Sequence, residues 1–151
     1  MKQHTPMIFN KERAYIAALP KRTYDGSIIL SLSVPCRAIS PNAATGRSLI
    51  AVIKKSVKIK DHKKVAWLAT LEALTEEDRI GGRFAGYSLR HFFKTAAFRD
   101  DDNADAACKA YRDGICQALG IDDKHFKKLR LSTCSKDALN PRVEIKLHIS
   151  K

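Results

Sequence analysis

Alternating hydrophobic and polar positions predict strands in three parts of the chain. Residues 28–34, 87–94 and 143–150 place a hydrophobic or aromatic side chain at every second position. Successive side chains of a strand point to opposite faces of its sheet, so this period of two is typical of strands with one buried face. A shorter alternation over residues 128–133 predicts one further strand.

Two other segments show the longer period of a helix. The first helix is expected from about Lys63 onward, where apolar residues recur every three or four positions. Its core-facing residues would be Val65, Leu68 and Leu71, with Trp67 and Leu74 as further candidates. The second helix is expected to begin at Asp102 or Asn103, either of which is a good N-cap, and to end at Gly120. Its apolar stripe comprises Ala107, Tyr111, Ile115 and Ala118. The pattern predicts one α/β domain of the α+β kind, roughly β-α-β-α-β-β, in which a mixed sheet is packed with helices.

The domain is expected to occupy residues 27–151. Residues 1–26 have weak periodicity and contain Pro20 and Gly26, so a short helical or irregular lead-in is predicted there. A total of 151 residues supports one domain with one core. No stretch is long and apolar enough to span a membrane, and the polar start lacks the apolar core of a signal peptide. A cytoplasmic protein without a membrane partner is therefore expected.

Charge makes nucleic acid the leading partner. Lys and Arg total 28 against 16 Asp and Glu, a formal net charge of +12. Such an excess favours contact with phosphate backbones, although a basic, well-solvated surface is the simpler alternative. The four cysteines are widely spaced and form no C-x-x-C pair, which favours reduced, structural thiols over a zinc site. The histidines show no metal-site spacing.

Three consecutive aspartates stand at the predicted junction of strand and helix. In an extended segment Asp100 and Asp102 point the same way, and Asp101 points elsewhere. Paired carboxylates are ligands that Mg²⁺ selects, and the bound metal can activate water for phosphodiester cleavage. A helix of about 16 residues would carry the chain roughly 24 Å further, so Asp122 and Asp123 start far from this pair.

Capping is the simpler explanation for these aspartates on spacing alone. Asp102 could cap the helix, and the Asp122-Asp123 pair could be a solvated turn. Lys109 is equally ambiguous. It lies four residues from both Asp105 and Asp113, as in an exposed salt-bridge ladder, yet it could also project toward a substrate phosphate.

Several short motifs follow one another along the chain. They are Val34-Pro35, Ser40-Pro41-Asn42, Arg99-Asp100-Asp101-Asp102-Asn103, Lys109-Ala-Tyr-Arg-Asp113 and Leu119-Gly-Ile-Asp122-Asp123. In this order they resemble the RusA family of Holliday junction resolvases, especially its bacteriophage members. The resemblance covers residues 27 to 150, and it is the combined order and spacing of the motifs that is specific.

The resemblance implies a homodimer that binds four-way DNA junctions and makes paired, Mg²⁺-dependent nicks, with Mn²⁺ as a substitute. By position, Asp100 and Asp102 match the first two metal carboxylates of the family, and Asp123 matches the third. Lys109 is the best match to the catalytic lysine, although it lies about one helical turn further along than in the best-known member. Asp113 would orient Lys109. Asp123 could act in the same chain or across the dimer.

The sequence therefore predicts a metal-dependent endonuclease for branched DNA, working in the cytoplasm of a bacterial host and associated with the nucleoid when bound to DNA. Residues expected to contact DNA are Asn42, Arg47, Lys54, Lys55, Lys63, Lys64, Arg99, Lys127 and Lys128. Each of these taken singly is more simply a solvated surface residue. Two rival functions stay open: a non-catalytic DNA-binding protein on the same scaffold, and a nuclease for flaps or forks.

Overall fold

The computed structural model describes residues 15–40, 46–81, 84–95 and 101–150, with the backbone alone at residues 80, 81 and 101. Its strands are β1 (Ile16–Arg22), β2 (Ile28–Leu32), β3 (Phe84–Phe93), β4 (Lys127–Lys128), β5 (Thr133–Lys136) and β6 (Arg142–Ile149). Its helices are α1 (Leu49–Ala73), α2 (Glu76–Gly81), α3 (Asp101–Ala107) and α4 (Lys109–Leu119), with 3-10 turns at Arg37–Ile39 and Asp123–His125. The predicted class, a mixed sheet packed with helices in one domain, is confirmed.

The six described strands form one mixed sheet. Its order is β1-β2-β6-β3-β4, and β5 also pairs with β3. The pairs β1/β2, β2/β6 and β6/β3 are antiparallel, whereas β4 and β5 run parallel to β3. Parallel neighbours require a crossover connection, and here α3 and α4 lie between β3 and β4 along the chain. The aspartate-rich segment therefore belongs to this crossover.

The core lies between one face of the sheet and helices α1 and α4. The inward residues of the three central strands are Ile28, Leu30, Leu32, Tyr87, Leu89, Val143, Ile145 and Leu147, all buried. These are the alternating positions of the three predicted strands, so the period-two interpretation is confirmed. The two helices pack closely at Gly114, where an added Cβ would lie 2.1 Å from the carbonyl oxygen of Lys63.

Helix α1 begins at Leu49, far before the predicted start at Lys63. Ser48 is its N-cap and accepts a hydrogen bond from the Ala51 backbone N–H at 3.2 Å. The prediction was wrong here because the first half of α1 contributes only His62 to the core, so no core-facing pattern exists before it. In the second half the buried positions are Val65, Ala66, Ala69 and Thr70, whereas Leu68, Leu71, Trp67 and Leu74 are half-buried.

Residues 16–22 form an edge strand, β1, so the helical or irregular structure predicted for this part of the lead-in was wrong. Two register shifts interrupt the pairing of β1 with β2, between Ile16 and Ala18 and between Ala18 and Lys21. Irregular pairing removes the alternation that identifies a strand in sequence, and an edge strand tolerates proline. The first 14 residues lie outside the described part of the chain.

The second half of the molecule contains two further corrections. The predicted second helix is divided at Cys108 into α3 and α4, although Gly120 ends it as expected with a positive φ of 67°. The strand predicted over residues 128–133 is replaced by β4 and the start of β5. Leu131 between them is 88% exposed, so the alternation there does not reflect a buried face. Within the described residues no helix is both long and apolar enough to cross a membrane.

Candidate active site

Asp102 lies exposed in the first turn of α3. Because α3 begins at Asp101, the expectation that Asp102 projects from an extended segment is wrong. Its predicted partner Asp100 lies outside the described residues, as do Arg99 and Asn42. An exposed carboxylate on a first helical turn is accessible to a hard cation from solvent.

The fit of a metal ion depends on how many protein ligands it needs. Among the described residues, no three Asp, Glu, His or Cys side chains are grouped so that they could bind one metal ion. Asp102 and Asp123 thus share no three-ligand cluster within this part of the chain. Mg²⁺ commonly takes one or two protein carboxylates and fills its shell with water and substrate phosphate. The exposed Asp102 suits that mode of binding, with Asp100 as the predicted second ligand.

One turn after Asp102, Asp105 is the centre of a compact polar network. His91 Nε2 donates to its Oδ1 at 2.8 Å, and Lys128 Nζ donates to its Oδ2 at 2.6 Å. Ser132 Oγ lies 2.7 Å from both carboxylate oxygens. His91 is only 3% exposed and must carry its proton on Nε2 to face a carboxylate. The network therefore links three separate segments of the chain to α3.

The electrostatics of this network favour the charged forms of Asp105 and Lys128. Burial opposes ionisation of Asp105, but the hydrogen bonds from His91, Lys128 and Ser132 outweigh it and lower its pKa to about 2. The hydrogen bond to Asp105 raises the pKa of Lys128, and the negative charges of Asp105 and Asp102 add to that effect. The charge of Asp102 therefore contributes to the electrostatic environment of the Lys128 ammonium group.

The sheet topology places Lys128 in this network. In the parallel pair β3/β4, Lys128 is opposite Tyr87, and His91 follows on the same face of β3 four residues later. Side chains two or four residues apart on a strand share a face. Both residues consequently point to the helix-covered side of the sheet, where α3 lies.

Lys109 has a different environment. Its Nζ donates to both carboxylate oxygens of Asp113, at 3.0 and 3.2 Å, across one turn of α4. Of the two interpretations of Lys109, the exposed helical salt bridge is therefore present, and its partner is Asp113. The oxygens of Asp105, the other residue four positions from Lys109, accept from His91, Lys128 and Ser132.

The aspartates after α4 lie near the end of that helix. Asp122 caps the following 3-10 turn by accepting from the Lys124 backbone N–H at 3.1 Å, and this bond lowers its pKa. Asp123 is exposed. The thiol of Cys116 is buried, which raises its pKa to about 11, and the charges of Asp113 and Asp123 add to the rise. Asp123 begins the 3-10 turn directly after α4.

The basic residues that were predicted to contact DNA and lie in the described part of the chain fall into two groups. Arg47, Lys54, Lys55, Lys63 and Lys64 lie on α1 or just before it, and Lys127 and Lys128 form β4. The α1 residues in this set are exposed apart from Lys55, which is half-buried and donates to the Ser40 carbonyl at 3.5 Å. The first group borders the apolar residues of α1, and the second borders the Asp105 network.

Sequence reasoning missed Asp105, His91 and Ser132 as members of one cluster. Along the chain, His91 lies 14 residues before Asp105, and Ser132 lies 27 residues after it. One signal was available: His91 occupies an inward position of β3, and a polar side chain in a buried row requires a hydrogen-bond partner. The alternation indicated its burial, but nothing in the sequence named the partner.

His62 and the cysteines have structural environments. His62 Nδ1 donates to the Lys58 carbonyl at 2.7 Å, while its Nε2 accepts from the Cys36 backbone N–H at 3.4 Å. Its ring packs against the rings of Tyr15 and Tyr111, and burial lowers its pKa, so it is a neutral core histidine. None of the four cysteines, all of which lie in the described part of the chain, forms a disulfide, as predicted.

Comparison with known proteins identifies a relative but no activity. No family model matches the chain. An uncharacterized protein of Xylella fastidiosa (strain Temecula1 / ATCC 700964) is 34% identical to this chain over 100 residues. The aligned part makes up 64% of this chain and 61% of that protein, so the chain spans about three fifths of the length of the curated relative it matches.

Proposed function

We propose that this protein is a Mg²⁺-dependent endodeoxyribonuclease that cuts branched DNA, with four-way junctions as its preferred substrate and a homodimer as its active form. The observation that carries the proposal is the exposed Asp102 at the start of α3, about one helical turn before the Asp105 carboxylate that binds the Lys128 ammonium, in a protein of net charge +12. A carboxylate beside a cation is what a metal-assisted phosphodiesterase needs, because one binds the metal and the other binds phosphate.

The metal would be held by Asp100 and Asp102, with Asp123 as the third ligand implied by the resemblance to the RusA family. When bound, it would supply Lewis-acid stabilisation of the phosphate and lower the pKa of an attacking water. Asp123 begins the 3-10 turn that follows α4 and belongs to no three-ligand group among the described residues, so its participation from the partner subunit is the alternative to participation in the same chain. The protein's own contribution is to fix Asp102 on a helix and to place cations around it.

Binding of DNA would rest on the two basic groups. Exposed lysines of α1 and the Lys127-Lys128 pair of β4 offer charge to phosphates on the DNA backbone. Contacts of this kind give affinity and register but no base specificity. The preference for a junction would then depend on how the two subunits of the dimer position these basic surfaces. Dimeric DNA-binding proteins match paired half-sites in the same way.

The test is cleavage of synthetic four-way junction, fork, flap and linear duplex DNA with Mg²⁺ or Mn²⁺. Asp102→Asn is expected to nick the junction at least about 100-fold more slowly than wild type, because the metal loses a charged ligand. Its affinity for the junction should be equal or higher, since a negative charge near phosphates is removed. Glu77→Gln, which neutralises an exposed carboxylate on α2, is the matched control and should nick normally.

Each part of the proposal has its own contrary outcome in this experiment. Junction binding without nicking by wild type would show a DNA-binding protein and not an enzyme. Unchanged nicking by Asp102→Asn would refute the metal site. Faster cutting of flaps or forks would make the protein a nuclease for those structures, and equal cutting of linear duplex would remove the preference for branched DNA.

A further inference from the structure

We propose that Lys128, and not Lys109, is the cation that contacts the scissile phosphate beside Asp102; this inference rests on the proposed nuclease function. The resemblance to the RusA family points to a lysine on the helix, whereas the geometry points to a lysine on the neighbouring strand β4. The argument has three steps: the position of Lys128, the way it is held, and the engagement of Lys109.

The position of Lys128 follows from α3. Asp102 and Asp105 are three residues apart on this helix, and residues with that spacing are neighbours on one side. Lys128 Nζ lies 2.6 Å from Asp105 Oδ2. The ammonium group is therefore at the side of α3 that also carries Asp102, in agreement with the interaction between their charges. A phosphate bound through a metal at Asp102 would lie on the same side of α3 as this cation.

Lys128 is also held in one place. An ammonium group has three N–H donors, of which Asp105 takes one, and the side chain is 34% exposed. Asp105 is itself fixed by the buried His91 and by Ser132. A donor that is fixed before the substrate arrives stabilises developing negative charge without the cost of rearrangement. The His91–Asp105–Ser132 set therefore consists of positioning residues, and Lys128 is the catalytic residue.

Lys109 is engaged elsewhere. Its ammonium group bonds to both oxygens of Asp113 within α4, whereas Asp102 and Asp105 lie in α3, on the other side of the break at Cys108. Its side chain is 57% exposed, as in an ordinary surface ion pair. Contact with a phosphate at Asp102 would require Lys109 to leave Asp113 and turn from the start of α4 toward α3.

The experiment compares Lys128→Gln with Lys109→Gln in full-length protein. Without metal, junction affinity is measured by fluorescence anisotropy across a range of salt concentrations. Loss of one phosphate contact should reduce the slope of log K against log [salt] by about 0.9 in Lys128→Gln and leave it unchanged in Lys109→Gln. With Mg²⁺ and saturating protein, the single-turnover nicking rate should fall at least about 100-fold in Lys128→Gln only. Lys128→Arg, which keeps the charge, should recover part of the rate.

The outcomes separate this inference from the function on which it rests. Wild type that binds junctions without nicking overturns the proposed function. Wild type that nicks, together with a normal rate and an unchanged salt slope in Lys128→Gln, overturns the assignment of Lys128 alone. A reduced rate and slope in Lys109→Gln, with Lys128→Gln unaffected, would return the role to Lys109. Thermal unfolding of each variant shows whether it is folded, and Lys128→Arg provides the folded comparison if Lys128→Gln is not.

Discussion

Asp105 shows how one side chain can join parts of a domain that are distant in sequence. It carries its negative charge on α3 while accepting hydrogen bonds from β3, from β4 and from the segment before β5. Hydrogen bonds in which one group is charged are stronger than hydrogen bonds between neutral groups. Because the pKa of Asp105 is lowered to about 2, these bonds stabilise the folded state wherever the carboxyl group is ionised.

We predict that Asp105→Asn lowers the free energy of unfolding by about 1 to 2 kcal/mol at pH 7. The folded-state pKa lies below the ordinary value of 3.8, so the unfolded state takes up protons first as the pH falls. The contribution of Asp105 is therefore full above pH 3.8 and disappears toward pH 2. Urea unfolding of wild type and variant from pH 7 to pH 2 should give curves that converge at the acid end.

Asp113→Asn provides the matched control, because it also removes an aspartate paired with a lysine. The Lys109–Asp113 pair is an exposed bridge within one helix and should contribute about 0.5 kcal/mol or less. Equal losses in the two variants, or a difference from wild type that persists at pH 2, would contradict the role assigned to Asp105.

At the level of elements, the contact between α1 and α4 depends on Gly114. A Cβ at this position would lie 2.1 Å from the Lys63 carbonyl oxygen and 3.1 Å from the Trp67 backbone nitrogen. Both contacts are with backbone atoms, so no side-chain rotation can relieve them. The two helices must move apart to accept any larger residue.

We predict that Gly114→Ala lowers the free energy of unfolding by about 1 to 3 kcal/mol despite the higher helix propensity of alanine. Gly120→Ala is the comparison. It has no atom within 4 Å of the added Cβ but a φ of +67°, so its cost of about 1 kcal/mol comes from backbone strain alone. Chemical denaturation of both variants measures the two effects, and a Gly114→Ala protein as stable as wild type would refute the close packing.

The success of sequence-based prediction also differs from element to element. The three central strands were predicted because each presents a regular buried row to the helices, and regular burial leaves a period in the sequence. Strand β1 lacks that period because of its register shifts. The apolar residues in the first half of α1 do have helical spacing, but they are exposed and do not belong to the buried row. The Asp102 position was predicted from local sequence, whereas the Asp105 network depends on a parallel pairing between residues about 40 positions apart. Pairings over such a distance leave no local signal.

For the molecule as a whole, the first half of α1 is an unusual surface. Half of the exposed large hydrophobic residues of the described chain lie there: Leu49, Ile50, Val52, Ile53 and Val57. At 3.6 residues per turn, four of them fall within a sector of about 100° on the helix. Exposed apolar stripes of this kind are typical of association surfaces, and a homodimer needs one surface that matches itself.

We predict that Ile53→Glu weakens the proposed homodimer by at least about tenfold, because a charge in the centre of an apolar contact is costly to bury. Leu139→Glu is the control: Leu139 is as exposed and apolar but lies before β6, away from α1. Sedimentation velocity at low micromolar concentration should show a dimer for wild type and Leu139→Glu and a monomer for Ile53→Glu. A dimer in all three would place the interface elsewhere, and a monomeric wild type would refute the homodimer.

The position of β6 in the sheet has a consequence for how the protein is made. β6 lies between β2 and β3, and its residues pair with partners as distant as Ile28. A ribosome must therefore deliver every residue from β1 to β6 before the β1–β2 hairpin and β3 can belong to one sheet. Chains whose contacts span such separations fold late and slowly, since loop closure precedes any gain from pairing. Until β6 emerges, the β1–β2 hairpin and β3 are not joined, and their apolar faces are exposed. At this stage the protein most needs protection by chaperones.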